Sequence, residues 1–334
     1  MPKPRRARVY RGSARNLAQL ARLLRAGELV AVPTETVYGL AANALDARAC
    51  RKIFAAKGRP ANDPLIVHLA DAHDLPRIAL PNAPALRLAK KFWPGPLTLV
   101  LPKTELIPDV VSAGLPSVAV RVPSHHLFHR LLKLAGIPLA APSANRFGYI
   151  SPTTAAHVRD GLGQKIAHIL DGGPCTIGLE STIVDLRDAQ RPRLLRAGAI
   201  THQQLEETLG MRVVRPRVAA HRDSRSTAQV APGLLSRHYS PKTPLILHAH
   251  LGRAGADLDE AWLFLAKPIL RTRALPKNIF WLDPHGDLRG VARRLFAALR
   301  KLDDGRFKKI HAEFVQGGGL ADAINDRLRR AAAK

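Results

Sequence analysis

The chain is poor in cysteine and in acidic residues, with two cysteines and 26 Asp and Glu against 52 Lys and Arg. It also lacks any apolar run near the ~20 residues that a membrane-spanning helix requires. Each scarcity excludes something. Cys50, in a helical pattern, and Cys175, in a glycine-rich loop, offer neither a disulfide framework nor metal-ligand spacing, and so fit a reducing compartment. Without a spanning segment no membrane association is expected. No apolar stretch follows the basic residues 1–8, so a secretory signal is not expected, the arm reads as disordered, and the expected location is the cytoplasm. Both common phosphate-binding signatures, G-x-x-x-x-G-K-[ST] and G-x-G-x-x-G, are missing, and Gly317-Gly318-Gly319 reads as a tight strand-to-helix turn. Any nucleotide must therefore be held by side chains. No Ser-His-Asp order or paired-carboxylate spacing stands out, which disfavours a hydrolase.

What is present is positive charge. The net charge is +26 with His neutral, and the isoelectric point is about 11.2. Such an excess concentrates polyanions at the surface, so nucleotide, pyrophosphate or RNA ligands become plausible partners. A general bias toward Arg would raise the charge with no partner at all, and Arg293, Arg294, Arg327, Arg329 and Arg330 read as solvated faces.

Strand and helix signals alternate along 334 residues, which predicts an α/β protein of about two domains. Asp46 is placed to cap a helix over residues 47–57 that Gly58 ends. Asn82 caps another through Phe92, and Thr201 with Gln204 forms a capping box for a helix that Gly210 stops. Residues 65–69, 98–101 and 117–122 read as strands. A catalytic domain is expected over residues 12–211, a Pro-, Ser- and Arg-rich linker over 212–244, and a smaller α/β domain over 245–334.

Four polar islands adjoin apolar runs: Pro33-Thr34-Glu35-Thr36-Val37-Tyr38-Gly39-Leu40, Lys57-Gly58-Arg59-Pro60, Pro142-Ser143-Ala144-Asn145 and Leu179-Glu180-Ser181-Thr182. Hydroxyls and cations at strand ends are where α/β proteins bind ligands, and here they suit an anion. Lys57 and Arg59 either grip phosphates or complement the dipole of the helix they end. Arg121, alone in the apolar run Ser117-Val118-Ala119-Val120-Arg121-Val122, requires an anionic partner such as a carboxylate. Tyr38 reads as packing and His68 as a core histidine. Cations and hydroxyls without an evident nucleophile suit transfer at phosphorus, with Mg²⁺ held mainly by the phosphates of ATP.

These islands, together with Phe92-Trp93-Pro94-Gly95-Pro96 and Gly178-Leu179-Glu180-Ser181-Thr182-Ile183-Val184-Asp185, resemble the YrdC-type domain of L-threonylcarbamoyladenylate synthases. Ala231-Pro232-Gly233, His238-Tyr239-Ser240-Pro241 and Gly319-Leu320-Ala321-Asp322-Ala323-Ile324-Asn325-Asp326-Arg327-Leu328 look like the linker and C-terminal domain of the two-domain form. The resemblance implies an open, twisted mixed sheet (YrdC-like) with a smaller Rossmann-like α/β domain. It implies a nucleotidyltransferase that makes threonylcarbamoyl-AMP and pyrophosphate from L-threonine, bicarbonate or CO₂ and ATP, for tRNA modification, and passes the product to a tRNA-modifying transferase complex. Thr36, His68, Arg121, Ala141 and Ser181 would surround threonine. Lys57, Arg59, Asp63, Ser117, Ser143, Ser151, Arg196 and Tyr239 would hold ATP, with catalysis by positioning and no catalytic base. The linker would act as a lid. The alternative is an RNA-binding factor of the same fold without synthase activity. A third reading, carbamoyl transfer from carbamoyl phosphate, would normally bring zinc-binding cysteine pairs and an acylphosphatase-like region, and neither appears in these residues.

Overall fold

A computed structural model describes residues 6–215, 228–233, 238–252, 257–269 and 276–333. Ten strands form the first sheet: β1 (Arg8–Arg11), β2 (Val30–Val32), β3 (Gly39–Asn43), β4 (Ile66–His68), β5 (Leu97–Pro102), β6 (Ser117–Arg121), β7 (Leu139–Ala140), β8 (His168–Asp171), β9 (Thr182–Asp185) and β10 (Arg193–Arg196). Their order is β1-β8-β2-β3-β7-β4-β6-β5-β9-β10, with parallel and antiparallel pairs mixed, as an open mixed sheet requires. Helices α1 (Ala14–Arg25), α2 (Ala47–Lys57), α3 (Leu75–Ile78), α4 (Ala83–Phe92), α5 (Asp109–Ser112), α6 (His126–Ala135), α7 (Ala155–Leu162) and α8 (His202–Leu209) accompany it. A second sheet, all parallel, runs β11-β14-β12-β13, from β11 (Leu245–His248), β12 (Glu260–Ala266), β13 (Ile279–Asp283) and β14 (Lys309–Glu313). Helix α9 (Leu288–Leu302) packs on β13, α10 (Leu320–Ala332) packs on β11, and the two helices touch each other.

Local chemistry explains the boundaries nearest the site. Asp46 accepts the Arg48 N–H at 2.8 Å, and Gly58 ends α2 in the left-handed conformation at φ 64°. That ending carries the chain from Lys57 into the second polar island. The edge strand β1 starts at Arg8, inside the arm read as disordered, because Arg8–Arg11 finds a parallel partner in β8. The pair α7 and β8 has no counterpart in the sequence reading either. Short segments of this kind carry little periodicity, and sheet pairing decides them.

The two domains share buried apolar surface. Val37, Ile150 and Leu179 of the first domain belong to one cluster with Leu263, Leu295, Ile310 and Ile324 of the second. Gly178, at φ 82°, allows the approach: a Cβ there would stand 2.5 Å from the Arg293 backbone. Of the expected linker, residues 216–227 and 234–237 lie outside the described residues. Val214 pairs beside Arg193 of β10, and Ala231 and Tyr239 are fully buried. Among the described residues no helix is long and apolar enough to cross a membrane.

Candidate active site

Backbone hydrogen bonds knit the four islands together. Ala144 N–H donates to the Tyr38 carbonyl at 2.8 Å and Leu40 N–H to that of Pro142 at 2.7 Å, joining the first island to the third. Gly39 makes the join possible, since a Cβ there would sit only 3.2 Å from that of Ala141. Ile177 N–H donates to Glu35 and Gly178 N–H to Thr36, drawing the fourth island in, while Phe147 N–H reaches Lys57 of the second. The four segments thus enclose one cavity, lined among others by Thr34, Thr36, Arg59, His68, Arg121, Ala141, Ser143, Glu180, Ser181, Arg196, Gly233, His238 and Tyr239.

Nine of the thirteen sequence-derived site residues line this cavity, and Lys57, Asp63, Ser117 and Ser151 do not. Lys57 is buried, and its ammonium donates to the Ser143 and Asn145 carbonyls at 2.5 and 2.6 Å, so it holds the third island in place. Burial, and then the neighbouring Arg59, push its pKa well below the ordinary lysine value. Asp63, with no exposed surface, lies 3.0 Å from Arg59, while Arg59 Nε and Nη2 donate to the Asp63 and Pro64 carbonyls. Burial raises the Asp63 pKa against the opposing pull of Arg59 and Lys57. Ser151 gives its hydroxyl to Glu180 at 2.5 Å. Ser117 opens β6, and its hydroxyl has no hydrogen-bond partner among the described residues.

Arg121 stands at the end of β6 and contacts the first island and the turn at Gly95. Nε donates to the Gly95 carbonyl at 3.0 Å and Nη1 to Thr36 Oγ1 at 2.9 Å, and Nη2 lies 2.7 Å from Glu35 Oε1. That last contact is a buried ion pair. The carboxylate its position demanded is therefore supplied by Glu35, in the first island. Burial raises the Glu35 pKa, but Arg121 outweighs it and leaves the carboxyl below its ordinary value. Arg196, also in the lining, donates to the Ser181 carbonyl at 3.0 Å and hydroxyl at 3.1 Å, and that hydroxyl also meets Thr98 at 2.7 Å.

His68, buried in the same lining, is pushed down to about 3, first by burial and then by Arg121, so its imidazole is neutral at pH 7. Its Nδ1 has no hydrogen-bond partner among the described residues. Unfolding releases an imidazole of ordinary pKa, 6.5. Below that pH the unfolded chain binds a proton that the folded chain refuses. The stability linked to His68 is intact above pH 6.5 and is lost as pH falls toward 3, at about 1.4 kcal/mol per unit. Between pH 7 and 5, His68→Gln should therefore lose about 2 kcal/mol less stability than the parent chain in urea titrations. Equal losses in the two proteins would mean that the imidazole titrates normally in the fold. His157, held at about 4, leaves a residual slope in both.

Tyr239 closes the cavity from the linker. It is fully buried at φ 62°, stacks on Phe296 of α9 with ring centres 5.4 Å apart, and its hydroxyl has no hydrogen-bond partner among the described residues. With it in place, room for water centres amounts to about 40 Å³. At roughly 10–15 Å³ per water, that is space for about three waters. Both cysteines are buried, with thiol pKa values pushed up to about 12 chiefly by burial, so neither presents a thiolate.

Sequence reasoning named Glu35 and Glu180 as the acids of the islands but gave them no role, and it placed Arg327 on a solvated face. Arg327 is in fact fully buried and pairs with Glu180 Oε2 at 2.7 Å. Its place in α10, with Ala323, Ile324 and Ala331 three or four residues away, puts it on the apolar stripe, and that was the available signal.

A family model described as "Telomere recombination" matches residues 22–198, and one described as "Threonylcarbamoyl-AMP synthase, C-terminal domain" matches residues 200–333. The threonylcarbamoyl-AMP synthase of Pyrococcus abyssi is 42% identical over 318 residues, covering 93% of this chain and 92% of the relative. That of Bacillus subtilis is 40% identical over 330 residues, covering 95% and 92%. Among solved structures, P. abyssi Sua5 complexed with L-threonine matches with a TM-score of 0.87 at 39% identity, over 97% of this chain and 96% of that one. Matched along nearly its whole length in both sequence and fold, the chain belongs to the threonylcarbamoyl-AMP synthase family, in its two-domain form.

Proposed function

We infer that this protein joins L-threonine, bicarbonate or CO₂, and ATP into L-threonylcarbamoyl-AMP with release of pyrophosphate, as a nucleotidyltransferase serving tRNA modification. The observation that carries this reading is the full-length match to the threonine-bound P. abyssi structure. The cavity's chemistry supports it. Threonine's amine adds CO₂ to give a carbamate, a carbamate oxygen attacks the α-phosphorus, and pyrophosphate leaves with the electron pair of the broken P–O bond.

In this reading Arg121 receives the threonine carboxylate, because its contacts with Gly95, Thr36 and Glu35 do not exhaust the guanidinium's N–H donors. Thr36 and Ser181 offer hydroxyls, and the neutral His68 offers a nitrogen without drawing the proton needed elsewhere. Arg59 and Arg196, on the other side, oppose the phosphate charge, and Tyr239 covers the nucleotide. Lys57, Asp63 and Ser151 act by fixing the cavity wall. Glu35, Asp63 and Glu180 each pair with an arginine, so Mg²⁺ belongs on the ATP phosphates, where it would neutralise charge on the departing pyrophosphate. The product's mixed anhydride is passed to a transferase acting on tRNA.

The test is pyrophosphate release from ATP with and without threonine and bicarbonate. Release is expected only when both are present. Release independent of threonine would remove the reading and favour a nucleotide-hydrolysing role, and no release under any condition would favour the RNA-binding one.

A further inference from the structure

A buried arginine of the second domain touches two residues that line the cavity. Arg327 of α10 donates from Nε to Glu180 Oε2 at 2.7 Å, from Nη2 to the Ala197 carbonyl at 3.0 Å and from Nη1 to Asp326 at 2.6 Å. Its guanidinium carbon lies 5.2 Å from the centre of the Tyr239 ring. Glu180, in turn, receives the Ser151 hydroxyl on its other oxygen. Glu180 and Tyr239 both face the cavity, and one cation from a different domain touches both.

This is an odd device if it serves stability alone. A buried ion pair recovers in attraction roughly what it loses in hydration, and apolar side chains of similar volume often serve as well. An arginine does offer a planar fork that fixes direction, which neither an aliphatic chain nor a lysine supplies. We propose that Arg327 is a positioning residue for the synthase reaction, locking Glu180 and Tyr239 into one rigid unit on the nucleotide side of the cavity. The second domain is then a working part of the nucleotide site. The proposal rests on the synthase reading, and specifically on Tyr239 meeting the nucleotide.

The test uses full-length Arg327→Met and Arg327→Lys, with affinities for a non-hydrolysable ATP analogue and for L-threonine measured separately by calorimetry, alongside thermal midpoints. Arg327→Met should weaken the analogue by roughly tenfold or more while threonine changes by less than about threefold. Arg327→Lys should recover part of the nucleotide affinity. A folded Arg327→Met chain that binds the analogue like the parent, or loses both ligands equally, overturns the proposal. Should Arg327→Met not fold, Arg327→Lys decides: a selective loss of nucleotide affinity supports the assignment, and unchanged affinity at a lowered midpoint reduces Arg327 to a structural role. Because the readout is binding, a parent chain that binds both ligands yet releases no pyrophosphate would count against the synthase reading alone.

Discussion

Arg121→Ala is expected to cost about 3–5 kcal/mol of stability and to raise the threonine requirement roughly 10- to 100-fold in whatever remains folded. The stability loss follows from Glu35, which has almost no exposed surface and takes its charge compensation from Arg121 at 2.7 Å. Once the guanidinium is gone, burial is opposed only by the Glu35 and Ser124 backbone N–H groups, and the carboxyl's pKa rises. A group whose folded pKa is raised contributes stability below its unfolded pKa and loses it as pH rises. The variant should therefore be least impaired near pH 4 and worst at neutral pH. Adding Glu35→Gln to Arg121→Ala should restore part of the stability, since no buried charge is left unpaired, yet restore no threonine affinity. A folded Arg121→Ala chain with an unchanged KM for threonine would sink the ligand assignment, whatever its thermal midpoint.

The second large effect concerns the cover of the cavity. A chain ending at Gly210 loses Tyr239, the Arg327 clamp and the apolar surface that covers Val37, Ile150 and Leu179. Uncovering three aliphatic side chains costs up to about 1.5–3 kcal/mol each, so the shortened chain should keep its helical signal but melt earlier and bind hydrophobic dyes. Synthesis should fall by on the order of 100-fold, with much of what forms lost to hydrolysis, because nothing then excludes water from the mixed anhydride. Tyr239→Ala in the full-length chain isolates the cover from the scaffold. Because Tyr239 is a fully buried aromatic, the change should cost about 3–5 kcal/mol of stability while leaving both domains in place, yet lower the yield of intact adenylate per pyrophosphate released. A shortened chain with full activity and an unchanged product ratio would make the linker a passive tether.

Local chemistry was legible in the sequence wherever neighbours along the chain decide the outcome. The caps of α2, α4 and α8 are read directly from Asp46, Asn82 and the Thr201–Gln204 pair, and the structure has them where the side chains dictate. The strand-end islands likewise converge, since a hydroxyl or a cation after a buried strand has few places to point. What stayed hidden was pairing at long range. Nothing near Arg121 says that its carboxylate lies 86 residues earlier, at Glu35, and nothing near Lys57 says that carbonyls at Ser143 and Asn145 absorb it. Arg327 was misread because its charge was weighed above its position: a strongly basic chain invites every arginine to be treated as solvated, but helical spacing had placed this one inward.

The spread of the cavity residues along the chain also orders events during synthesis. Thr36 and Glu35 emerge early, Arg196 much later, Tyr239 later again, and Arg327 only with α10. Contacts between distant residues form late and slowly, and a ribosome adds on the order of 5–20 residues per second. A nascent chain can thus complete the strands around Thr36, His68 and Arg121 many seconds before Tyr239 and its clamp exist. Until α10 folds, such a chain has the means to attract substrates but no cover to protect a labile product. Coupling the cover to α10 through Arg327 makes full activity wait for the second domain to fold.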